Sequence, residues 1–194
     1  MKIEEYLSTL PQSILSGEEI QIPPDTIREI FRFSNLGKND IFYHLGCGNG
    51  TSLSIAREEF NVKNAIGIDN SEKMINIAKK MIDERNISNI KVIEQDVMEA
   101  EFSDASVILC WFMDAEILEK MMTKFKKLKK DTKIITIWAP LPGCVPQKVD
   151  FPYIMNKIPL NETEDLKKQL LGCLIQNVLD LSPHGSMQKD IQNL

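Results

Sequence analysis

Gly46, Gly48 and Gly50 stand at alternate positions behind the apolar run Ile41 to Leu45, and Thr51 opens an amphipathic pattern behind them. Glycine lets a backbone take positive φ and approach a ligand without a Cβ in the way. A loop of this kind, between a strand and a helix, turns amide groups and the positive end of the helix dipole toward whatever lies beyond the strand. Asp69 closes the next apolar run, 69 − 46 = 23 residues past the first glycine. There a carboxylate can accept both hydroxyls of a ribose. Asp96 follows a third run and can accept from an adenine amino group, with the Val97 backbone and its apolar edge alongside. Taken singly, an aspartate at a strand end is an ordinary turn residue. Taken in this order behind three strands, the set reads as a nucleotide site.

The elements that must position these residues follow from hydrophobic period. Ile41–Leu45, Ala65–Ile68, Ile90–Glu94, Ser106–Phe112 and Lys133–Ala139 are short buried strands. Helices lie between them over Thr51–Phe60, from Ser71 through Met74, Ile75, Ala78, Met81 and Ile82, and along Ile117, Leu118, Met121, Phe125 and Leu128. Ser71 caps the second of these. Upstream, the spacing predicts a short helix near Ile3–Leu10 and another over Thr26–Leu36, capped by Asp25. Downstream, Pro140–Pro146 is a turn-rich loop. Residues 147–160 would complete a sheet with two more strands, against which Pro152 and Pro159 weigh. Asn161 and Glu164 fit a capping box opening an apolar helix, Leu166 to Leu181, that covers the sheet or pairs with a second copy of the chain.

Alternating strands and helices predict an α/β protein, a doubly wound, mostly parallel sheet with helices on both faces and extra N- and C-terminal helices. Residues 1–160 form one domain, and 161–194 is a helix and tail of that domain or a dimerisation element. Ligands of such sheets sit beyond the carboxyl ends of the strands. The glycine loop, Asp69, Asp96, Cys110–Asp114 and Ala139–Leu141 are therefore expected to converge.

The chain has 194 residues and a net charge of −5. No run approaches the ~20 apolar residues of a membrane span, and the N-terminus lacks the apolar core of a signal peptide. The four cysteines show neither C-x-x-C pairing nor zinc spacing, so reduced thiols, a cytoplasmic location and no metal are expected. Net acidity argues against nucleic acid as a partner. Lys120, Lys124, Lys126, Lys127, Lys129, Lys130 and Lys133 crowd one helix and its exit, as a solvated face or a docking surface for an acidic partner. With two histidines in the chain, His44 and His184, a Ser-His-Asp hydrolase is disfavoured.

Three stretches carry a resemblance. His44-Leu45-Gly46-Cys47-Gly48-Asn49-Gly50, Gly67-Ile68-Asp69-Asn70-Ser71 and Glu94-Gln95-Asp96-Val97 resemble the first three motifs of the class I S-adenosylmethionine-dependent methyltransferases, with their Rossmann-like sheet. The resemblance spans roughly residues 22–150. Ile22-Pro23-Pro24 and Leu141 to Pro146 are similar to a narrower group, the small archaeal protein lysine methyltransferases and their relatives, in which the lead-in segment helps enclose the cofactor.

The resemblance implies S-adenosylmethionine as cofactor and S-adenosylhomocysteine as product. It implies cofactor-binding roles for His44, Gly46, Cys47, Gly48, Asn49, Gly50, Asp69, Asn70, Asp96, Val97 and Cys110. Such families usually place an acid two residues before the first glycine, near the cofactor's ammonium. His44 stands there, and it reads equally as a cofactor-shell residue and as a hydrogen-bonded core histidine. The fourth-strand exit, Cys110-Trp111-Phe112-Met113, lacks the Asn/Asp-Pro-Pro-aromatic motif of many enzymes that methylate planar amino groups. Trp111, Phe112 and Trp138 could wall an amine acceptor by cation–π contact, or be ordinary core aromatics. No catalytic base is assigned, because a lysine amine can lose its proton to solvent. A protein lysine is the expected acceptor. Two other readings remain: an NAD(P)-dependent reductase, against which Thr51 stands in place of the last glycine of G-x-G-x-x-G, and a non-catalytic interaction subunit.

Overall fold

A computed structural model of the chain describes residues 21–112 and 115–165. Five of its seven strands are the ones expected: β1 (Ile41–Leu45), β2 (Asn64–Asp69), β3 (Ile90–Glu94), β4 (Val107–Cys110) and β5 (Lys133–Ile137). They pair in parallel, and β6 (Lys148–Asp150) and β7 (Tyr153–Lys157) complete the sheet in the order β3-β2-β1-β4-β5-β7-β6. β7 runs antiparallel to both its neighbours. The prolines that weighed against these last strands lie outside the ladder. Pro152 sits in the turn between β6 and β7, and Pro159 follows the end of β7.

The helices are α1 (Pro24–Phe33), α2 (Thr51–Glu58), α3 (Glu72–Glu84) and α4 (Ala115–Phe125). α1 begins two residues earlier than expected. Pro23 takes the cap position without a side-chain bond, and Asp25 instead sits in the first turn, paired with Arg28 at 2.8 Å. Ser71 caps α3 as expected, accepting the Met74 N–H at 3.4 Å. Residues 161–165 are not helical. Glu162 pairs across to Cys144 in an isolated β-bridge, and Thr163 Oγ1 takes the Asp165 N–H. The predicted helix near the N-terminus, and the one through 166–181 with its proposed role in dimerisation, lie outside the described residues.

Two cores divide at the sheet. α1 and α2 bury Ile27, Ile30, Phe31, Leu53 and Ala56 against Phe42, Ala65, Val107, Leu109 and Ile135. α4 buries Leu118, Met121 and Phe125 against Tyr43, Leu45, Ile108, Cys110 and Ile134. Alternate residues of β1 and β4 thus feed opposite cores, as the two-residue period of a strand requires. α3 lies beside α2, with Gly50 packed so closely on Ala78 that a Cβ there would sit 2.9 Å from the Ala78 methyl. The last carbonyls of α1 are satisfied from across the sheet. Lys148 donates to Phe33 O at 2.9 Å and Lys133 to Ser34 O at 2.7 Å. A helix end needs such donors, and cations suit its negative pole.

Candidate active site

Strand order reverses between β1 and β4, so the loops that follow them part and open a crevice. Gly46, Gly48 and Gly50 all have positive φ, at 80°, 53° and 77°. The turn is tied to β2, because Gly46 and Cys47 both donate to Ile68 O, at 2.8 and 3.0 Å. Asp69, half-buried at the end of β2, accepts the Gly48 N–H at 2.7 Å and the Ser71 N–H at 2.9 Å. The Asn49 side chain accepts from Thr51 N and Thr51 Oγ1, closing the start of α2. Asp69 therefore joins the glycine loop to the start of α3, and its oxygens keep lone pairs for a ligand.

Aromatic residues stand over the other half. Phe112, just past β4, comes within 3.9 Å of where a Cβ on Gly46 would lie. Trp111 and Trp138 follow β4 and β5 at the same height and meet edge to face, ring centres 5.8 Å apart. Trp138 has φ +67°, and the Ala139 N–H reaches back to Ile137 O at 2.9 Å. That bond spans two residues, which makes Trp138 the centre of a γ-turn of the rare, strained hand. The turn is held by a bond from Trp138 N to Pro152 O at 2.8 Å. A bulky residue forced into that region is a backbone outlier of the kind that clusters at functional sites.

Three expected side chains point into the interior. His44 is buried on β1 and its Nδ1 meets Ser52 Oγ of α2 at 2.6 Å. Burial lowers its pKa to about 4, so the ring is neutral. Cys47 turns its side chain inward, the thiol donating to Gly48 O at 3.8 Å. Its thiol packs where a Gly67 side chain would be, and burial, with Asp69 nearby, pushes it up to about 12. Cys110 is enclosed in the sheet, its thiol directed at Ile135 O, and burial raises it also to about 12. Neither thiol is a nucleophile in that state. Asp96 is exposed and accepts the Met98 N–H at 2.8 Å, while Val97 packs on the α4 core and Asn70 is exposed. Among the described residues, no cluster of three or more metal-ligating side chains occurs.

The residue that the sequence did not single out is Gln21, whose amide lies against Gly48. Its signal was slight: one amide between Ile20 and Ile22, ahead of two prolines.

Comparison with known proteins decides what the crevice serves. The pattern of the ANTKMT methyltransferase domain matches residues 44–148, more than half of the chain, from His44 to the start of β6. This chain belongs to the ANTKMT methyltransferase domain family. The methyltransferase is similar to a protein-lysine N-methyltransferase of Saccharolobus islandicus, 26% identical over 132 residues that make up 67% of this chain and 81% of that protein. It is also 32% identical, over 54% of its length and 47% of the relative's, to a carboxy-S-adenosyl-L-methionine synthase of Sulfurimonas denitrificans. Among solved structures, an RNA methyltransferase of Salinibacter ruber in complex with S-adenosyl-L-homocysteine superposes with a TM-score of 0.69 at 20% identity, covering 76% of this chain and 99% of that one. At that identity the likeness speaks to the fold alone.

The dinucleotide reading gives way to an S-adenosylmethionine-dependent methyltransferase on the family match, with which the antiparallel β7 and the G-x-G-x-G loop agree. The residues present fit that cofactor. Of the three positive-φ glycines, Gly46 leaves room beside the loop, where a Cβ would meet nothing nearer than Phe112 at 3.9 Å, Gly48 is covered by the Gln21 side chain, and a half-buried carboxylate ends β2 beside them.

Proposed function

We propose that this methyltransferase methylates the side-chain amine of lysine in a protein. The observation that carries the reading is the edge-to-face Trp111–Trp138 pair just past β4 and β5, half-buried against the α1–α2 core, with Trp138 in its strained turn. Aromatic faces hold an apolar stem and a cationic head together, and methylated ammonium binds them well. Phe112 stands next to Gly46 of the glycine loop, packed on the α4 side of the sheet. The likeness to a protein named as a lysine methyltransferase supports the same acceptor.

S-adenosylmethionine supplies a methyl group already activated by its sulfonium. The chain's task is then to orient and to exclude water. The Gly46–Gly50 loop and Asp69 would hold the cofactor's amino-acid end and ribose. Asp96 and Val97 border the adenine. The tryptophan wall aims the acceptor amine along the line of displacement. When cofactor and acceptor are both bound, the amine's lone pair would form the new N–C bond as the C–S bond breaks and its electron pair returns to sulfur, leaving S-adenosylhomocysteine. The proton leaves from the new ammonium to solvent, which needs no dedicated base.

Labelled S-adenosylmethionine, incubated with the protein and a mixed protein pool, should leave its label in methyllysine after acid hydrolysis. Trp138→Ala should lower that transfer about tenfold, the scale of one cation–π contact in a desolvated site, with S-adenosylhomocysteine affinity kept. Label recovered in RNA or small molecules, with none in lysine, would refute the acceptor assignment.

A further inference from the structure

The segment that leads into α1 ends against the glycine loop. Gln21 lays its side-chain amide on Gly48, in the space that any Cβ at that position would enter. Its Oε1 accepts the Asn49 N–H at 3.2 Å. The other amides of the loop build the loop itself. Gly46 and Cys47 donate to Ile68 O, Gly48 to Asp69, Gly50 to Cys47 O and Thr51 to Asn49 Oδ1. Among these six, the Asn49 N–H is the one held from outside the β1–α2–β2 unit. Its partner oxygen belongs to a side chain whose last torsion is soft.

We propose that Gln21 binds the methionine carboxylate of S-adenosylmethionine, giving up the Asn49 N–H to a carboxylate oxygen and donating to that carboxylate through Nε2. The assignment rests on the cofactor reading above. A carboxylate is the stronger acceptor for the same N–H, because its bond is charge-assisted. An amide then has two donors to offer where its own oxygen had been. The charge arrangement favours this partner. His44 supplies no acid at its own position, its ring being buried against Ser52, and the acid that does stand beside the loop, Asp69, is engaged with the Gly48 and Ser71 N–H groups. An amide that can donate to the carboxylate, and still accept from the neighbouring ammonium, suits the Asn49 side of the loop, where, among the described residues, no charged side chain is bonded to the backbone. Gly48 has to be glycine for Gln21 to reach the loop.

Isothermal titration of the full chain with two ligands tests the assignment. S-adenosylhomocysteine carries the amino-acid end, and 5′-deoxy-5′-methylthioadenosine has the same nucleoside without it. Q21A should raise the Kd for S-adenosylhomocysteine about tenfold, the scale of a hydrogen bond to a charged group. Q21E should raise it further, because two carboxylates would then face each other. Methylthioadenosine should bind all three proteins alike. Unchanged or tighter S-adenosylhomocysteine binding by Q21A would overturn the assignment, and the amide would be a plug that the cofactor displaces. Parallel loss of both ligands would overturn it too, as a packing defect. Wild-type protein that binds neither ligand would overturn the cofactor reading and this assignment with it.

Discussion

At the residue scale, His44 shows how type and direction separate. Its place two residues before the first glycine was legible, and so was its departure from the acid usual there. Its partner was not, because Ser52 lies eight positions on, in the next element, and a sequence does not say which strand face turns toward which helix. The buried ring has a consequence in pH. Its pKa is lowered to about 4 in the folded chain, against about 6.5 for an exposed histidine. Between those values the unfolded chain binds the extra proton, so stability rises with pH through that window. The contribution is fully present above about 6.5 and lost below about 4, on the order of 3 kcal/mol in all. Urea unfolding between about pH 7 and pH 4.5 should show stability falling more steeply in wild type than in His44→Gln. Equal slopes would mean that the ring titrates freely in the folded protein.

At the element scale, the crossing of β2 beneath the glycine loop is a closely packed joint near the site. A Cβ on Gly67 would lie 2.6 Å from both Cys47 Sγ and Leu53 Cδ1, deep between loop and helix. Gly67→Ala should therefore cost about 1–3 kcal/mol by overpacking, and loosen the loop that carries Gly46 and Gly48. Gly37 is the control. It has open space around it and an ordinary φ, so Gly37→Ala should be neutral or stabilise by about 0.5 kcal/mol through the unfolded state. Chemical denaturation of both variants decides the comparison, and equal effects would refute the packing argument. The strands β1 to β5 were legible because their apolar runs are short and bounded by turn residues. β6 and β7 were less so, since Pro152 and Pro159 look alike in a sequence whether they break a ladder or bound one. The capping box at Asn161 misled for a related reason. The pattern Asn-x-x-Glu also suits a polar extended segment, and here Glu162 bridges to Cys144 and its carboxylate takes Lys126 at 2.6 Å.

At the scale of the whole molecule, the lysine-rich stretch resolves into structure. Lys120 pairs with Glu116, Lys126 with Glu162, Lys124 donates to Ala100 O, and Lys133 holds the end of α1. Four of the seven are thus occupied within the chain, and the stretch reads as scaffold more than as a docking surface. Among the described residues, no helix is long and apolar enough to cross a membrane. Cofactor binding should be visible in the stability of the entire sheet, since the loops it touches end β1, β2 and β3. S-adenosylhomocysteine at a hundred times its Kd should add ~2.7 kcal/mol and raise Tm by about 5–10 °C, while NADP leaves it unchanged. A shift with NADP alone would reverse the choice of cofactor. The nucleotide crevice was legible because its parts follow strands in a fixed order. The acceptor wall was legible only as a list of aromatics, since the turn that presents Trp138 depends on a bond to Pro152, fourteen residues on. That wall has one more use. The chain contains two tryptophans, and both stand in it. All of the protein's indole fluorescence originates at the crevice, so emission colour and quenching report on the acceptor site directly, in unlabelled wild-type protein and on the timescale of mixing.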